Sequence, residues 1–338
     1  MSNTPLDWEA AVELIHRSTH PLLICHVSPD GDAIGSLLGL GAGLRTLGKT
    51  VTLACESTPP PKFSFLCGYD TIVNAVDADH VDLVIGLDSS DIARLGKVYD
   101  ADRFSGTPLI NIDHHATNLH FGDVNLVDTT AAAATQIVLT LLDRLGIAID
   151  QDIATCLLTG IATDTVGFRT ANVTPQVMGT TVRLMEAGAS LSCVTHQAFN
   201  QRPLAELALL ARGLSRLEAQ DGLAHSEITL ADRRACGYQG DGDVGLVGML
   251  VRTKEVHISA VLSEKENNEV EISFRADPGY DVAQVALGLG GGGHPAASGC
   301  TIEGTLEAAK ARVLPMLRAA LEEQKMSIGD TACSDDSL

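Results

Sequence analysis

Short apolar runs that each stop at an acidic residue or a histidine constrain this chain more than any other feature. PLLICH (21–26), VDLVIGL (81–87, followed by Asp88) and LINI (109–112, followed by Asp113, His114 and His115) are strand-length and almost continuously hydrophobic. Runs of that kind mark strands buried on both faces of a parallel sheet. Residues 51–55 read as a further strand. Helical patterns alternate with these runs at 33–47, stopped by Gly48, at 130–145, ending at Gly146, and at 152–163. The β-α-β order predicts an α/β fold whose N-terminal part is a mostly parallel sheet flanked by helices on both faces.

Near residue 190 the pattern changes. Residues 205–217 read as a connecting helix, and strands then follow closely at 224–229, 256–263 and 269–274. A helix at 281–287 leads into a glycine cluster. The 338 residues therefore divide into an N-terminal domain (1–190), a linker with a connecting helix (191–222), a smaller C-terminal α/β domain with a mixed sheet (223–325) and a disordered tail (326–338).

Charge narrows the function classes. Asp plus Glu number 43 against 23 Lys plus Arg, a formal net charge of −20. A protein that tracks a long nucleic acid needs a basic surface to neutralise many phosphates, so long strands are excluded as partners. Small anions remain open where metal ions or local positive charge offset the acidity. No apolar run is long enough for a membrane span, and residues 1–15 lack the basic start of a signal peptide. The 8 cysteines are scattered with no Cys-x-x-Cys pair, which fits free thiols in a reducing cytoplasm.

Four places carry chemistry. His26, Asp30 and Asp32 follow the first strand; Asp88 ends the second apolar run; Asp113, His114 and His115 end the third; Asp164 closes the helix ATCLLTGIAT. In open α/β sheets ligands bind beyond the carboxyl ends of the strands, where three of these places lie. Each has a plainer reading taken alone. Asp30-Gly31 fits a turn, Asp32 a helix N-cap, Asp88 with Ser89 and Ser90 a cap, and His114-His115 a satisfied polar pair in a loop. Asp164 fits a cap less well, because a carboxylate at a helix C-terminus is electrostatically disfavoured. Together, four Asp and two His at one sheet edge form a ligand set for hard or borderline divalent ions. The charge of Asp30, Asp32, Asp88 and Asp164 balances two divalent cations, and imidazole plus carboxylate suits Mn2+, with Mg2+, Co2+ or Fe2+ as alternatives.

The segments HVSPDGDAIGS, GLDSSD, NIDHHATN and GIATDTVGF resemble, in order, the four signature motifs of the DHH phosphoesterase superfamily. GLGGGGHPAASGC resembles the glycine-rich signature of the DHH-associated C-terminal domain. The likeness runs over roughly residues 8–322, and the two-domain form is most similar to the bacterial nanoRNase and pAp phosphatase group. The resemblance implies that His26, Asp30, Asp88 and Asp164 hold one metal, and that Asp32, Asp88, His114 and Asp164 hold the other. Asp88 and Asp164 then bridge, Asp113 orients a histidine ligand, and His115 faces the substrate phosphate. In the C-terminal domain Arg275, Gly291, Gly292, Gly293 and His294 would bind substrate phosphate, although a glycine run alone favours a flexible turn. Phe168, Phe274 and Tyr280 are the aromatic residues available for stacking on a base. Two positions depart from the family pattern: Val166, where relatives often carry glycine, and Ser298, where they often carry alanine.

The implied activity is two-metal hydrolysis of short oligoribonucleotides to nucleoside 5′-monophosphates and of pAp to AMP and phosphate, with pApA or cyclic di-AMP as related substrates. A manganese-dependent inorganic pyrophosphatase and a non-catalytic nucleotide sensor are the competing readings. A homodimer is implied by the resemblance alone.

Overall fold

The computed structural model describes residues 6–334, with side chains as far as Met326. The chain forms two compact units, Met1–Gln201 and Arg202–Leu338.

The first unit contains α1 (Trp8–Arg17), β1 (Pro21–Cys25), α2 (Gly31–Thr46), β2 (Thr52–Ala54), β3 (Ile72–Val73), β4 (Leu83–Leu87), β5 (Leu109–Asp113), β6 (Val124–Val127), α3 (Ala134–Arg144), α4 (Gln151–Asp164), α5 (Pro175–Glu186) and α6 (Leu191–Thr195). Its six strands are all parallel, in the order β3-β2-β1-β4-β5-β6. Strand order therefore reverses between β1 and β4. The connections leaving those neighbours diverge and open a crevice at their carboxyl ends. Every residue of β1, β4 and β5 is buried, which is why their sequences run apolar without alternation.

The two faces of this sheet are covered differently. Leu23, Ile85 and Ile110 pack with Ile34, Val138 and Leu157 of the α-helices. Leu22, Ile24 and Val84 pack instead with Leu95, Val98 and Phe104. The expected second helical layer is thus replaced by a short 3-10 segment, Ile92–Val98, and irregular chain. Gly96, at φ +64°, breaks that segment before it can extend.

Glycines let α2 and α4 touch backbone to backbone. A Cβ on Gly35 would collide with the Cys156 carbonyl, and one on Gly39 would lie 2.9 Å from the Leu157 side chain. A Cβ on Gly31 would lie 2.5 Å from Thr163. Each helical glycine costs about 1 kcal/mol of propensity relative to alanine. The close crossing offsets that cost and sets the start of α2 against the end of α4.

The second unit contains α7 (Leu204–Leu214), β7 (Glu218–Gln220), β8 (Leu223–Ile228), α8 (Leu230–Cys236), α9 (Leu246–Val251), β9 (Ile258–Lys265), β10 (Glu269–Ala276), α10 (Ala283–Gly288), β11 (Gly292–His294), β12 (Ala297–Glu303) and α11 (Leu306–Ser334). Its mixed sheet has the order β11-β12-β10-β9-β8-β7, with only β8 and β9 parallel. Ile258, Ile272 and Phe274 face Val285 of α10 and Val313 and Leu317 of α11. Ala224 and Val261 face Leu209 of α7 and Leu246 and Leu250 of α9.

The stretch 191–222, read from the sequence as a linker with a connecting helix, contains α6 and α7. Val194 and Ala198 join the core of the first unit, whereas Leu209 joins that of the second. The disordered tail expected from Met326 is helical as far as Ser334, and 335–338 lie outside the described residues. Among the described residues no helix is long and apolar enough to cross a membrane.

Candidate active site

His26 follows β1 and is 4% exposed. Its Nδ1 lies 2.7 Å from the Val27 carbonyl. A carbonyl can only accept, so Nδ1 carries the proton and Nε2 keeps its lone pair. That Nε2 lies 3.5 Å from Asp88 Oδ2 and 4.0 Å from Asp30 Oδ1.

The two aspartates after it divide the capping work in an order the sequence reading did not have. Asp30 caps α2, its Oδ1 accepting from the Asp32 and Ala33 amides at 2.9 and 3.1 Å. Asp32, fully buried, caps α3 instead, 102 residues away in sequence. It accepts from the Ala134 amide (2.5 Å) and from the Thr135 amide and hydroxyl (3.0 and 2.8 Å). The residue before α3, Ala133, has no side chain that could do this. A cap of this kind is worth about 1 kcal/mol. It also holds the Asp32 carboxylate in one orientation.

Asp88 sits where β4 ends, in the left-handed region at φ +54°. Aspartate tolerates that conformation better than most residues. Its Oδ1 is 3.6 Å from both His114 Nε2 and His115 Nδ1, and its Oδ2 faces His26. The carboxylate thus reaches both sides of the centre. His114 Nε2 lies 3.8 Å from Asp32 Oδ2 and 3.4 Å from Asp164 Oδ2. Three overlapping donor groups result: His26-Asp30-Asp88, Asp32-His114-Asp164, and Asp88-Asp113-His114-His115, which links the other two through Asp88 and His114.

Burial pushes the carboxyl of Asp88 well above the ordinary carboxylate range, and neighbouring Asp32 and Asp30 push it further. Burial raises Asp32 too, and raises Asp164 to about 6. Asp88 Oδ1 and His114 Nε2 are buried with no hydrogen-bond partner. Orphaned donor atoms of this kind are costly unless something compensates them. Atoms bonded to one ion at about 2.0–2.2 Å lie roughly 3–4 Å apart, matching the spacings here. The residues therefore fit divalent cations held by imidazole and carboxylate.

Asp113 differs from its expected role. The histidine it holds is His115, not the ligand candidate His114: its Oδ1 lies 2.7 Å from His115 Nδ1. Its Oδ2 accepts from Asn118 Nδ2 at 2.6 Å, and Asn118 is braced in turn by Asn111 at 3.0 Å. Asn118 is a positioning residue the sequence reading did not single out; its place inside NIDHHATN was the available signal. The bond to Asp113 raises the His115 pKa to about 8, so the ring is cationic at neutral pH with Nε2 free to donate. His115 is 38% exposed and faces solvent.

Beyond Asp164 the chain turns sharply through Val166, Gly167 and Phe168, at φ +50°, +71° and +64°. A β-branched residue is strained in that region, where the glycine expected from the family pattern would not be.

In the second unit, Arg275 pairs in register with Ala297, and Ala297 with His294. Residues paired across neighbouring strands project to the same face, so Arg275 and His294 flank Ala297 on one side of the sheet. Of the glycine run, Gly292 and Gly293 enter strand β11, while Gly290 lies in a turn and Gly291 in irregular chain. A Cβ on Gly291 would strike the Gly299 carbonyl, and Gly293 sits at φ +138°; Gly292 faces open space. The Ser298 hydroxyl donates to the His294 carbonyl at 2.7 Å, a tie that alanine could not make. Of the three aromatic candidates, Phe274 is fully buried in the core and unavailable to a base. Phe168 packs against the first unit's core, and Tyr280 stacks on His257 at 4.7 Å.

Two family models match the chain: the N-terminal domain of the DHH family over residues 22–161, and the DHHA1 domain over 242–323. The chain is 35% identical over 324 residues to the bifunctional oligoribonuclease and PAP phosphatase NrnA of Thermus thermophilus, covering 94% of this chain and 96% of that protein. It is 28% identical to the protein of the same name from Bacillus subtilis, over 82% of this chain and 87% of that one. An exopolyphosphatase-related protein from Bacteroides fragilis shares the fold with a TM-score of 0.83 at 24% identity, over 95% of this chain and 97% of that one. The DHH ligand pattern assembled at the carboxyl ends of β1, β4 and β5, the two matched domains and the end-to-end identity agree: this chain belongs to the DHH family.

Proposed function

We propose that this DHH-family phosphoesterase hydrolyses short oligoribonucleotides to nucleoside 5′-monophosphates and pAp to AMP and phosphate, using two divalent cations, Mn2+ foremost. The observation that carries the reading is the paired donor cluster sharing Asp88, with buried Asp88 Oδ1 and His114 Nε2 lacking any protein partner. His26, Asp30 and Asp88 would hold one cation and Asp32, His114 and Asp164 the other, with Asp88 and Asp164 bridging. Bound there, the ions supply Lewis acidity that neutralises charge on the attacking and leaving oxygens of an in-line displacement. The names of the Thermus and Bacillus relatives support the substrate class.

The chain's own residues do the rest. Asp113 and Asn118 fix the His115 ring, whose Nε2–H donates to a phosphate oxygen or to the departing oxygen. Arg275 supplies a planar fork suited to phosphate, and His294 with Gly291, Gly292 and Gly293 lines the sheet edge beside it. The net charge of −20 supports short substrates, whose few phosphates need no long basic track. pApA and cyclic di-AMP belong to the same substrate class. The free thiols among the described residues support a reducing compartment such as the cytoplasm. A homodimer is part of the proposal, checked by light scattering.

The test is product analysis of the purified chain with Mn2+ on pAp, pApA, a short oligoribonucleotide and pyrophosphate in parallel. Release of AMP from pAp or pApA with pyrophosphate untouched is expected. Cleavage of pyrophosphate alone would replace the substrate class, and nucleotide binding without turnover would make the chain a sensor.

A further inference from the structure

Arg94 belongs neither to the donor clusters nor to the phosphate residues of the second unit. It lies on the 3-10 segment that follows β4, and its carbonyl accepts from the Val27 amide at 2.8 Å. That bond ties the loop after β4 to the loop after β1, across the point where strand order reverses. Its guanidinium Nη2 comes within 3.1 Å of His26 Nδ1.

This contact and the one to the Val27 carbonyl fall on the same ring nitrogen, so they compete for it. His26 Nδ1 already donates its proton to the Val27 carbonyl at 2.7 Å and has no lone pair left for Arg94. Accepting from Arg94 would move the ring proton to Nε2, the atom that faces Asp30 and Asp88. In the tautomer that leaves Nε2 open to a cation, the guanidinium stands beside the acidic centre without an acceptor there. Among the described residues it forms no ion pair with a carboxylate, although acidic side chains outnumber basic ones 43 to 23. An arginine that is half-buried, anchored through its backbone and without an anion partner is equipped to take one from outside the chain.

We propose that Arg94 is a substrate-binding residue whose guanidinium takes a non-bridging oxygen of the phosphate presented to the acidic centre. It would supply a fixed positive charge from the first unit to hold a phosphate that the surrounding carboxylates would otherwise repel. The proposal rests on the phosphoesterase reading and adds a recognition residue to it.

The experiment compares the wild-type chain with Arg94→Gln and Arg94→Lys. Three quantities are read: KM and kcat for pAp, equilibrium binding of AMP to the Mn2+-loaded chain, and binding of Mn2+ alone by calorimetry. Arg94→Gln is expected to raise KM and weaken AMP binding about 10- to 100-fold, the range for losing a charge-assisted bond. Mn2+ affinity is expected to stay within about twofold, and Arg94→Lys to recover part of the loss, because charge without the planar fork is a poorer phosphate ligand. Unchanged KM and AMP binding would overturn the proposal. So would a loss confined to Mn2+ affinity, which would make Arg94 a support for His26 only. If the wild type hydrolyses neither pAp nor oligoribonucleotide, the phosphoesterase reading fails, while AMP binding still decides the role of Arg94.

Discussion

Asp32 and Asp88 in the first unit are 0% and 1% exposed, whereas Arg275 in the second is half-buried and His294 exposed. The two sets of side chains are held by opposite means. Asp32 is locked by three hydrogen bonds from α3, Asp88 by a left-handed backbone, and His115 by a chain through Asp113, Asn118 and Asn111. Arg275 and His294 are placed by strand register, with Ala297 between them, and by one local bond each: Arg275 Nη1 donates to the Phe274 carbonyl at 2.8 Å, and the His294 carbonyl accepts from Ser298. Rigid placement of buried carboxylates has an electrostatic cost, visible in the raised pKa values of Asp32, Asp88 and Asp164. Register has no such cost, and it leaves the charged ends in water. On the proposed function, the first region answers to cations and the second to substrate.

The largest effect expected from this contrast comes from Asp88→Asn. Turnover should fall by a factor on the order of 1,000 or more, because a shared ligand is lost to both donor groups. The cation-free protein should nevertheless melt at a higher temperature, since a neutral amide removes repulsion from Asp32 and Asp30 and asparagine tolerates the same φ. Residual activity together with a lower Tm in chelator would break the contrast. Asp164→Ala should likewise abolish turnover without unfolding the protein.

Next in size is the response to the ion itself. Mn2+ at 100 times its Kd should stabilise the wild type by about 2.7 kcal/mol, read as a rise in Tm, and Asp88→Asn should lose most of that rise. Arg275→Ala and His294→Ala should behave in the opposite way. Their KM for pAp should rise about 10- to 100-fold, while Tm and Mn2+ binding stay unchanged. A change in Mn2+ affinity in either variant would blur the division between the regions.

The pH profile sharpens the first region further. With the His115 pKa raised to about 8, its cation persists through neutrality. Activity should decline about tenfold per pH unit above about 8 as the proton is lost. Asn118→Ala should move that limb to lower pH, because Asp113 is then less firmly held. The same shift contributes folding stability that is complete below the ordinary histidine pKa of about 6.5 and is lost as pH rises through about 8. The smallest effect is Val166→Gly. Relief of strain at φ +50°, less the entropy of glycine, should stabilise the first unit by about 1 kcal/mol, or roughly 2–4 °C in Tm.

Much of this architecture was legible from local pattern. The buried strands β1, β4 and β5 are continuous apolar runs, and their acidic or histidine endings stand where a parallel sheet places ligands. Other elements carried weaker signals. β6, Val124–Val127, alternates buried with half-buried residues over a single short stretch, too brief to stand out beside loops. The 3-10 segment Ile92–Val98, interrupted at Gly96 in the left-handed region, had no helical pattern in the sequence to announce it. Asn118 and Arg94 are ordinary polar residues in sequence, and only their neighbours give them a role.

From the sequence alone follow the fold class, the chemical identity of the centre and its family, because these depend on residue type and on order along the chain. Contacts between distant segments settle which carboxylate does what. Asp30 caps its own helix because the α2 amides beside it need an acceptor. Asp32 caps α3 because the α2–α4 crossing, made close by Gly31, Gly35 and Gly39, brings segments more than 100 residues apart into contact. Asp113 holds His115 rather than His114 because side-chain direction at the end of β5 is set by packing, and spacing along the chain does not encode it.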